Sequence, residues 1–148
     1  MKSKSIIILL IGVCLGLVAM LTVLNQKTRI AVPQNMISIE GKKTEILDLS
    51  TLPKTTITGQ VVNKKGDVLE VSGEGINLFD IIKDYADESY STIIVISDDE
   101  YKATLSKEEA EAPFKAVLLI EDSSARLFVF GDTDSKRNVS NVKRIIIN

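Results

Sequence analysis

Histidine and tryptophan are absent from this 148-residue chain, and its single cysteine, Cys14, lies inside the longest apolar run. One cysteine permits no intrachain disulfide, so burial has to hold the fold together. Without histidine, and with the only thiol in that run, the chain has no Cys/His zinc site, no Ser-His-Asp or Cys-His nucleophile and no imidazole acid–base catalyst. Any chemistry falls to carboxylates, tyrosine, lysine or a bound cofactor. Basic clustering is missing too. Four of the 18 Lys and Arg residues (Lys2, Lys4, Lys27, Arg29) precede Ile30, so 14 remain against all 20 acidic residues, a net of −6. No basic stripe or interleaved aromatic run is present. Such an acidic domain does not suit nucleic acid, whose backbone is neutralised by clustered Lys and Arg.

What is present begins with Ile6–Leu24, nineteen residues without a charge. At ~1.5 Å per residue a helix of this length nearly spans a ~30 Å hydrocarbon core. The run is long for the apolar part of a signal peptide, and its exit, Thr22-Val23-Leu24-Asn25-Gln26, offers no small-x-small cleavage pattern. The reading is therefore an uncleaved signal-anchor, with secretion after cleavage as the alternative. Acylation of Cys14 does not fit, because Val13 stands where a small residue is wanted and the run continues ten residues further. Cys14 then reads as a small apolar residue of the helix. Lys2 and Lys4 flank one end, Lys27 and Arg29 the other. Charge alone does not orient the segment, but the short tail with two lysines favours tail inside, domain outside. The organisation expected is a cytoplasmic tail (1–5), a transmembrane helix (6–24), a polar linker ending near Pro33 (25–34) and an extracytoplasmic globular domain (35–148). The partners expected are the membrane itself, through the helix, and a partner protein at its outer face.

The folded part reads as many short strands. Met36–Glu40 and Thr44–Leu49 flank the turn Gly41-Lys42-Lys43, and Thr55–Asn63 and Gly66–Ser72 flank Lys64-Lys65, two hairpin signals. A helix follows Asn77 as N-cap, with Leu78, Ile81, Ile82 and Tyr85 on one face and Asp80 in the first turn. Thr92–Ser97 and Tyr101–Leu105 read as strands. Ser106–Glu111 reads as a short helix opened by a Ser106/Glu109 capping box. Strands at Ala116–Ile120, Arg126–Phe130 and Val142–Ile147 complete a mainly β, α+β fold: a mixed sheet or sandwich with one or two short helices.

Four stretches, in this order, resemble the molybdopterin-binding domain of the sulfite oxidase and nitrate reductase superfamily. Leu47-Asp48-Leu49 through Leu52-Pro53 to Thr56-Ile57-Thr58-Gly59 is similar to the family's opening strand. Ser72-Gly73-Glu74-Gly75-Ile76 running into Leu78-Phe79-Asp80-Ile81-Ile82 resembles its G-x-x-L-x-D-L-L loop and helix. Ile93–Ser97 with Asp98-Asp99-Glu100-Tyr101, Leu105 and Glu108-Glu109 resembles S-D-G-Y-x-x-x-L-x-x-E-E. Leu127–Gly131, Val139 and Val142-Lys143-Arg144-Ile145 resemble its closing strand. The resemblance implies a sulfite-oxidase-like fold, and molybdopterin as the cofactor if one is bound. In that family a cysteine thiolate near the end of the opening strand binds the metal. The position falls around Val61–Asn63, and no cysteine is there. Neither valine nor asparagine supplies a soft thiolate ligand. The family's cofactor-contacting histidines are gone, and the domain's only arginines, Arg126, Arg137 and Arg144, are what is left to contact a pterin. No catalytic residue and no metal ligand is assigned. The expectation is a membrane-anchored, non-catalytic binding or accessory module with no cofactor; the alternative is a pterin-binding, molybdopterin-dependent oxidoreductase subunit.

Other candidates each have a plainer reading. Asp98-Asp99-Glu100 suits a hard cation or a solvated turn, and Asp132 with Asp134 likewise. Gly73-Glu74-Gly75 before a helix suits an anion or simply a flexible turn. Lys136-Arg137 and Lys143-Arg144 suit an anion patch or exposed basic residues. Asn138-Val139-Ser140 matches a glycosylation sequon by accident of composition.

Overall fold

A computed structural model describes residues 32–148. The expectations for the tail, the transmembrane helix and most of the linker fall on residues 1–31, outside the described residues. Among the described residues no helix is long and apolar enough to cross a membrane.

Alternation of apolar and polar side chains, with turn residues between, divides the domain into nine strands. They are β1 (Met36–Glu40), β2 (Thr44–Asp48), β3 (Thr55–Val62), β4 (Val68–Asn77), β5 (Thr92–Ser97), β6 (Lys102–Ser106), β7 (Ala116–Glu121), β8 (Ser124–Val129) and β9 (Val142–Ile147). Two helices of five residues interrupt them, α1 (Leu78–Ile82) and α2 (Lys107–Glu111). The strands form a five-stranded sheet in the order β2-β1-β9-β5-β6 and a four-stranded sheet in the order β3-β4-β7-β8. Only β1 and β9 run parallel, Ser38 opposite Arg144 and Ile39 opposite Ile145. Every other pairing is antiparallel. The mainly β, α+β class expected from the sequence, a mixed sheet or sandwich with one or two short helices, is observed among the described residues as one mixed sheet, one antiparallel sheet and two short helices.

The inner faces of the two sheets meet in one core. Ile37 and Ile39 of β1, Val95 of β5 and Ile145 of β9 are buried against Leu118 of β7 and Leu127 of β8, with Leu78 and Ile82 of α1 closing one side. The alternate residues of the four-stranded sheet face the other way and build a second cluster: Ile57 and Val61 of β3, Val117 and Leu119 of β7, and Phe128 of β8. The β3–β4 hairpin therefore packs its own apolar face over the back of the sheet it belongs to. A side chain on Gly59 would stand 2.5 Å from the ring of Phe130, which uses that space to join the cluster.

Two local expectations are corrected. Gly73-Glu74-Gly75 is not a loop entering the helix but part of β4, paired with Ile57, Thr56 and Thr55. The reason lies at Gly75, where a Cβ would sit 2.6 Å from the Leu118 carbonyl oxygen and 2.7 Å from the Leu119 side chain. Glycine there allows β4 to cross closely from β3 onto β7. Asn77 does occupy the N-cap position of α1, but its side chain makes no capping bond. The helix ends at Ile82, and Tyr85 lies beyond it, buried and donating its hydroxyl to Glu45 at 3.1 Å.

Candidate functional site

Three connections converge at one end of the domain. The β3–β4 turn holds Lys64, the β5–β6 turn holds Asp98 and Asp99, and the 131–141 segment runs between β8 and β9. Between them opens a cleft of about 440 Å³ lined by Lys64, by Ser97, Asp98, Asp99 and Tyr101, and by Ser135, Lys136, Asn138, Ser140 and Asn141. Its lining is hydroxyls, amides, two amines and two carboxylates, with one half-exposed aromatic ring, Tyr101. Such a lining can exchange hydrogen bonds with a small polar ligand; it contains no thiol, no imidazole and no guanidinium.

The walls are ordered by their own hydrogen bonds. The Ser97 hydroxyl donates to the Asp99 carboxylate and accepts from the Tyr101 N–H at 2.9 Å. The Tyr101 N–H also reaches Asp99 at 3.3 Å. The Ser97 hydroxyl and then the Tyr101 N–H hold the Asp99 carboxyl below its ordinary range. The Tyr101 hydroxyl donates to the Lys136 carbonyl at 2.5 Å, linking this wall to the 131–141 segment, and Asp98 N–H to Asn141 C=O at 3.0 Å links them again. Asp98-Asp99-Glu100 is thus a tight turn, with Glu100 at φ 67. Among the described residues no group of three or more acidic or thiol side chains is placed to hold a metal ion.

The 131–141 segment is held from behind by Arg137. Its Nε donates to Asp132 at 2.8 Å, its Nη2 to the same carboxylate at 2.5 Å, and its Nη1 to Glu109 at 2.8 Å. Asp132 is also 3.7 Å from the Lys115 ammonium. Glu109 is available for this because it is the acidic member of the capping box of α2, where its carboxylate accepts from the Ser106 N–H at 3.1 Å. Burial works against its charge, but the Ser106 N–H and then the Arg137 guanidinium outweigh burial, and the carboxyl lies below its ordinary range. For Arg137 the Asp132 bonds dominate and stabilise the charged form further. At the far end of the segment, Val139 pairs with Leu127 and is buried.

The three arginines singled out in the sequence do not meet. Arg126 lies on the outer face of the four-stranded sheet, its guanidinium 5.8 Å from the centre of the Phe128 ring and its Nε 3.5 Å from Glu121. Arg144 lies on the outer face of the five-stranded sheet, 3.6 Å from Glu40. Arg137 is the one near the cleft, behind its wall and facing two carboxylates. The other half of the expected basic patch is also engaged: Lys136 pairs with Asp134 at 3.2 Å, and Lys143 donates to the Pro33 and Gln34 carbonyls, each at 2.9 Å. Burial lowers the pKa of Lys143.

The stretch Val61–Asn63, where the resemblance places a metal-binding thiolate, abuts the cleft through Lys64. Val61 is buried in the second cluster. The Asn63 side chain is spent on the turn, accepting from the Lys65 and Asp67 N–H groups at 2.8 and 2.9 Å and donating to the Asp67 carboxylate at 3.0 Å. The residues present do not fit a thiolate-ligated metal. What the linear sequence did not reveal is the assembly itself: Lys64, Ser97 and Asn141 are far apart in the chain, and the Arg137–Glu109 pair spans 28 residues.

No family model matches the chain, and none of the curated proteins matches it. Among solved structures, the sulfane dehydrogenase SoxCD from Paracoccus pantotrophus is similar over 80% of this chain, with a TM-score of 0.64 and 13% sequence identity. The match covers 39% of that chain, so this protein spans well under half its length. At that identity the likeness concerns the fold alone. It supports the expectation in its coarse form, a mainly β fold shared with part of that dehydrogenase.

Proposed function

We propose that the protein is a membrane-anchored, extracytoplasmic, non-catalytic module that binds a small polar ligand in the cleft beside the β3–β4 turn. The observation that carries this reading is the chemistry of that end of the domain. The cleft is lined by ordered hydroxyl, amide and charged groups, while the adjacent Val61–Asn63 stretch offers a buried valine and an asparagine already consumed by its turn. A domain of this fold without the soft ligand has the framework for recognition and no means of redox catalysis through a thiolate-bound metal. The apolar run Ile6–Leu24 supports the anchor, and the absence of histidine and of a second cysteine supports the lack of catalysis.

Native mass spectrometry of the full chain released from its membrane tests the proposal. A small-molecule adduct is expected in the natural protein and absent from Lys64→Glu/Lys136→Glu; adduct-free protein in both counts against it. The fold shared with a dehydrogenase favours a second reading, a cofactor-binding subunit of an oxidoreductase, with Arg126, Arg137 and Arg144 as pterin contacts and a separate protein completing electron transfer. That reading requires a pterin to co-purify and requires Arg137 to leave its two carboxylates.

A further inference from the structure

The two sheets present four edges, and three of them carry charge. β2 contains Glu45 and Asp48, β6 contains Lys102, and β8 contains Arg126. Such charges discourage another chain from adding to an edge. β3, Thr-Thr-Ile-Thr-Gly-Gln-Val-Val, is eight residues long and has neither a charge nor a proline. It is the outermost strand of its sheet, and Thr56, Thr58 and Gln60 on its solvent face are exposed.

The phase of its hydrogen bonding follows from the turn. Asn63 N–H donates across the hairpin to the Asp67 carbonyl at 2.9 Å. Backbone groups alternate in direction along an antiparallel strand, so Val61, Gly59 and Ile57 bond inward to β4. Thr56, Thr58, Gln60 and Val62 then point their N–H and C=O groups outward, toward the free edge. Side chains alternate as well. Ile57 and Val61 face the second apolar cluster, and Thr56, Thr58 and Gln60 face water.

We infer that β3 is a self-association edge, pairing antiparallel with β3 of a second copy of this chain about a two-fold axis at Gly59. That register sets Thr58 opposite Gln60 of the second copy and Ile57 opposite its Val61. It meets both requirements at once: outward backbone groups face outward groups, and apolar side chains share one face while polar ones share the other. A shift by one residue would break both conditions. No charged side chains oppose each other within the paired strands. Beyond them, Lys54 continues the register opposite Lys64 of the second copy, so repulsion at the two ends limits the contact and salt should relieve it. An isologous contact of this kind closes after two copies.

Cross-linking of the full chain tests the register. In a Cys14→Ser background, Thr58→Cys/Gln60→Cys places the two sulfur-bearing residues of different copies at ~5.5 Å between Cα atoms, inside the disulfide window. Neither single variant does so, since identical positions would be ~8–9 Å apart. The expected result is a covalent dimer from the double variant, at most about a tenth as much from either single variant, and about threefold tighter association when salt screens the flanking lysines. Adding Thr58→Lys at the exposed edge, in the chain without engineered cysteines, should leave it monomeric by sedimentation at concentrations where the natural chain dimerises. Equal cross-linking in the single variants, no cross-linking in the double variant, or a dimer that survives Thr58→Lys would overturn the inference.

Discussion

Replacing Arg137 by alanine separates the two roles open to that residue, a clamp inside the protein or a contact for a bound cofactor. The guanidinium makes three charge-assisted bonds to two carboxylates, and the side chains involved are 29% (Arg137), 12% (Asp132) and 30% (Glu109) exposed. Pairs at the surface are worth about 0.2–1 kcal/mol, whereas removing one partner of a fully buried pair costs about 3–5 kcal/mol. This cluster lies between those limits, and the Lys115 ammonium at 3.7 Å still compensates Asp132 in part, so the expected loss is about 2 kcal/mol. For a domain of this size that corresponds to a fall in Tm of about 8 °C. The assay is thermal unfolding of the full chain followed by circular dichroism, for Arg137→Ala, Arg137→Lys, Asp132→Asn and the Arg137→Ala/Asp132→Asn double variant. The double variant should lose less than the sum of its parts, because the neutral amide no longer needs the cation. Lysine should recover only part of the loss, since it cannot reproduce the forked geometry. A loss below about 0.5 kcal/mol, within the range of an ordinary surface change, would refute the clamp and return Arg137 to the list of residues free to meet a ligand.

Other consequences follow from the same structure. Because the Glu109 carboxyl lies below its ordinary range, its contribution is present above the unfolded value near 4.5 and is lost as pH falls through the folded value. The difference in Tm between natural protein and Glu109→Gln should therefore shrink as pH drops below 4.5, and a constant difference would contradict it. At the alkaline end, burial and then the bond to Glu111 push Tyr90 up to about 12, and burial raises Tyr85. Both favour the protonated folded state, so stability should decline as pH rises above 10, with tyrosinate absorbance at Tyr90 appearing only near pH 12; titration of Tyr85 and Tyr90 at the ordinary value would exclude this packing. Gly59→Ala should destabilise by about 1–3 kcal/mol through its clash with Phe130, and Gly59→Ala/Phe130→Leu should recover part of that loss, measured by urea unfolding.

Local chemistry carried much of the fold. The turns Gly41-Lys42-Lys43 and Lys64-Lys65-Gly66 read as hairpins because glycine and lysine interrupt alternating strands, and the structure pairs β1 with β2 and β3 with β4 across them. The Ser106/Glu109 box was legible because both capping bonds lie within one helical turn. Gly73-Glu74-Gly75 misled for a physical reason: the same residue serves loops and close strand crossings, and only the positions of Leu118 and Leu119 distinguish them. The site was less legible still. Arg137 stands out as one of three arginines in the domain, but its two carboxylates come from α2 and from the start of its own segment, and no spacing rule joins them. The cleft depends on β9 running antiparallel to β5, with Ser97 opposite Val142, a pairing of residues far apart in the chain that brings the end of the 131–141 segment beside the β5–β6 turn.

Without a thiolate at Val61–Asn63, the domain has no soft protein ligand there through which to hold molybdenum or tungsten. Molybdenum and tungsten content, with pterin fluorescence after oxidation, should be measured on full-length protein exported from a host that makes the cofactor. The expected result is folded protein carrying neither metal nor pterin in stoichiometric amount. One pterin and one metal per chain would contradict it and establish the oxidoreductase reading in its place.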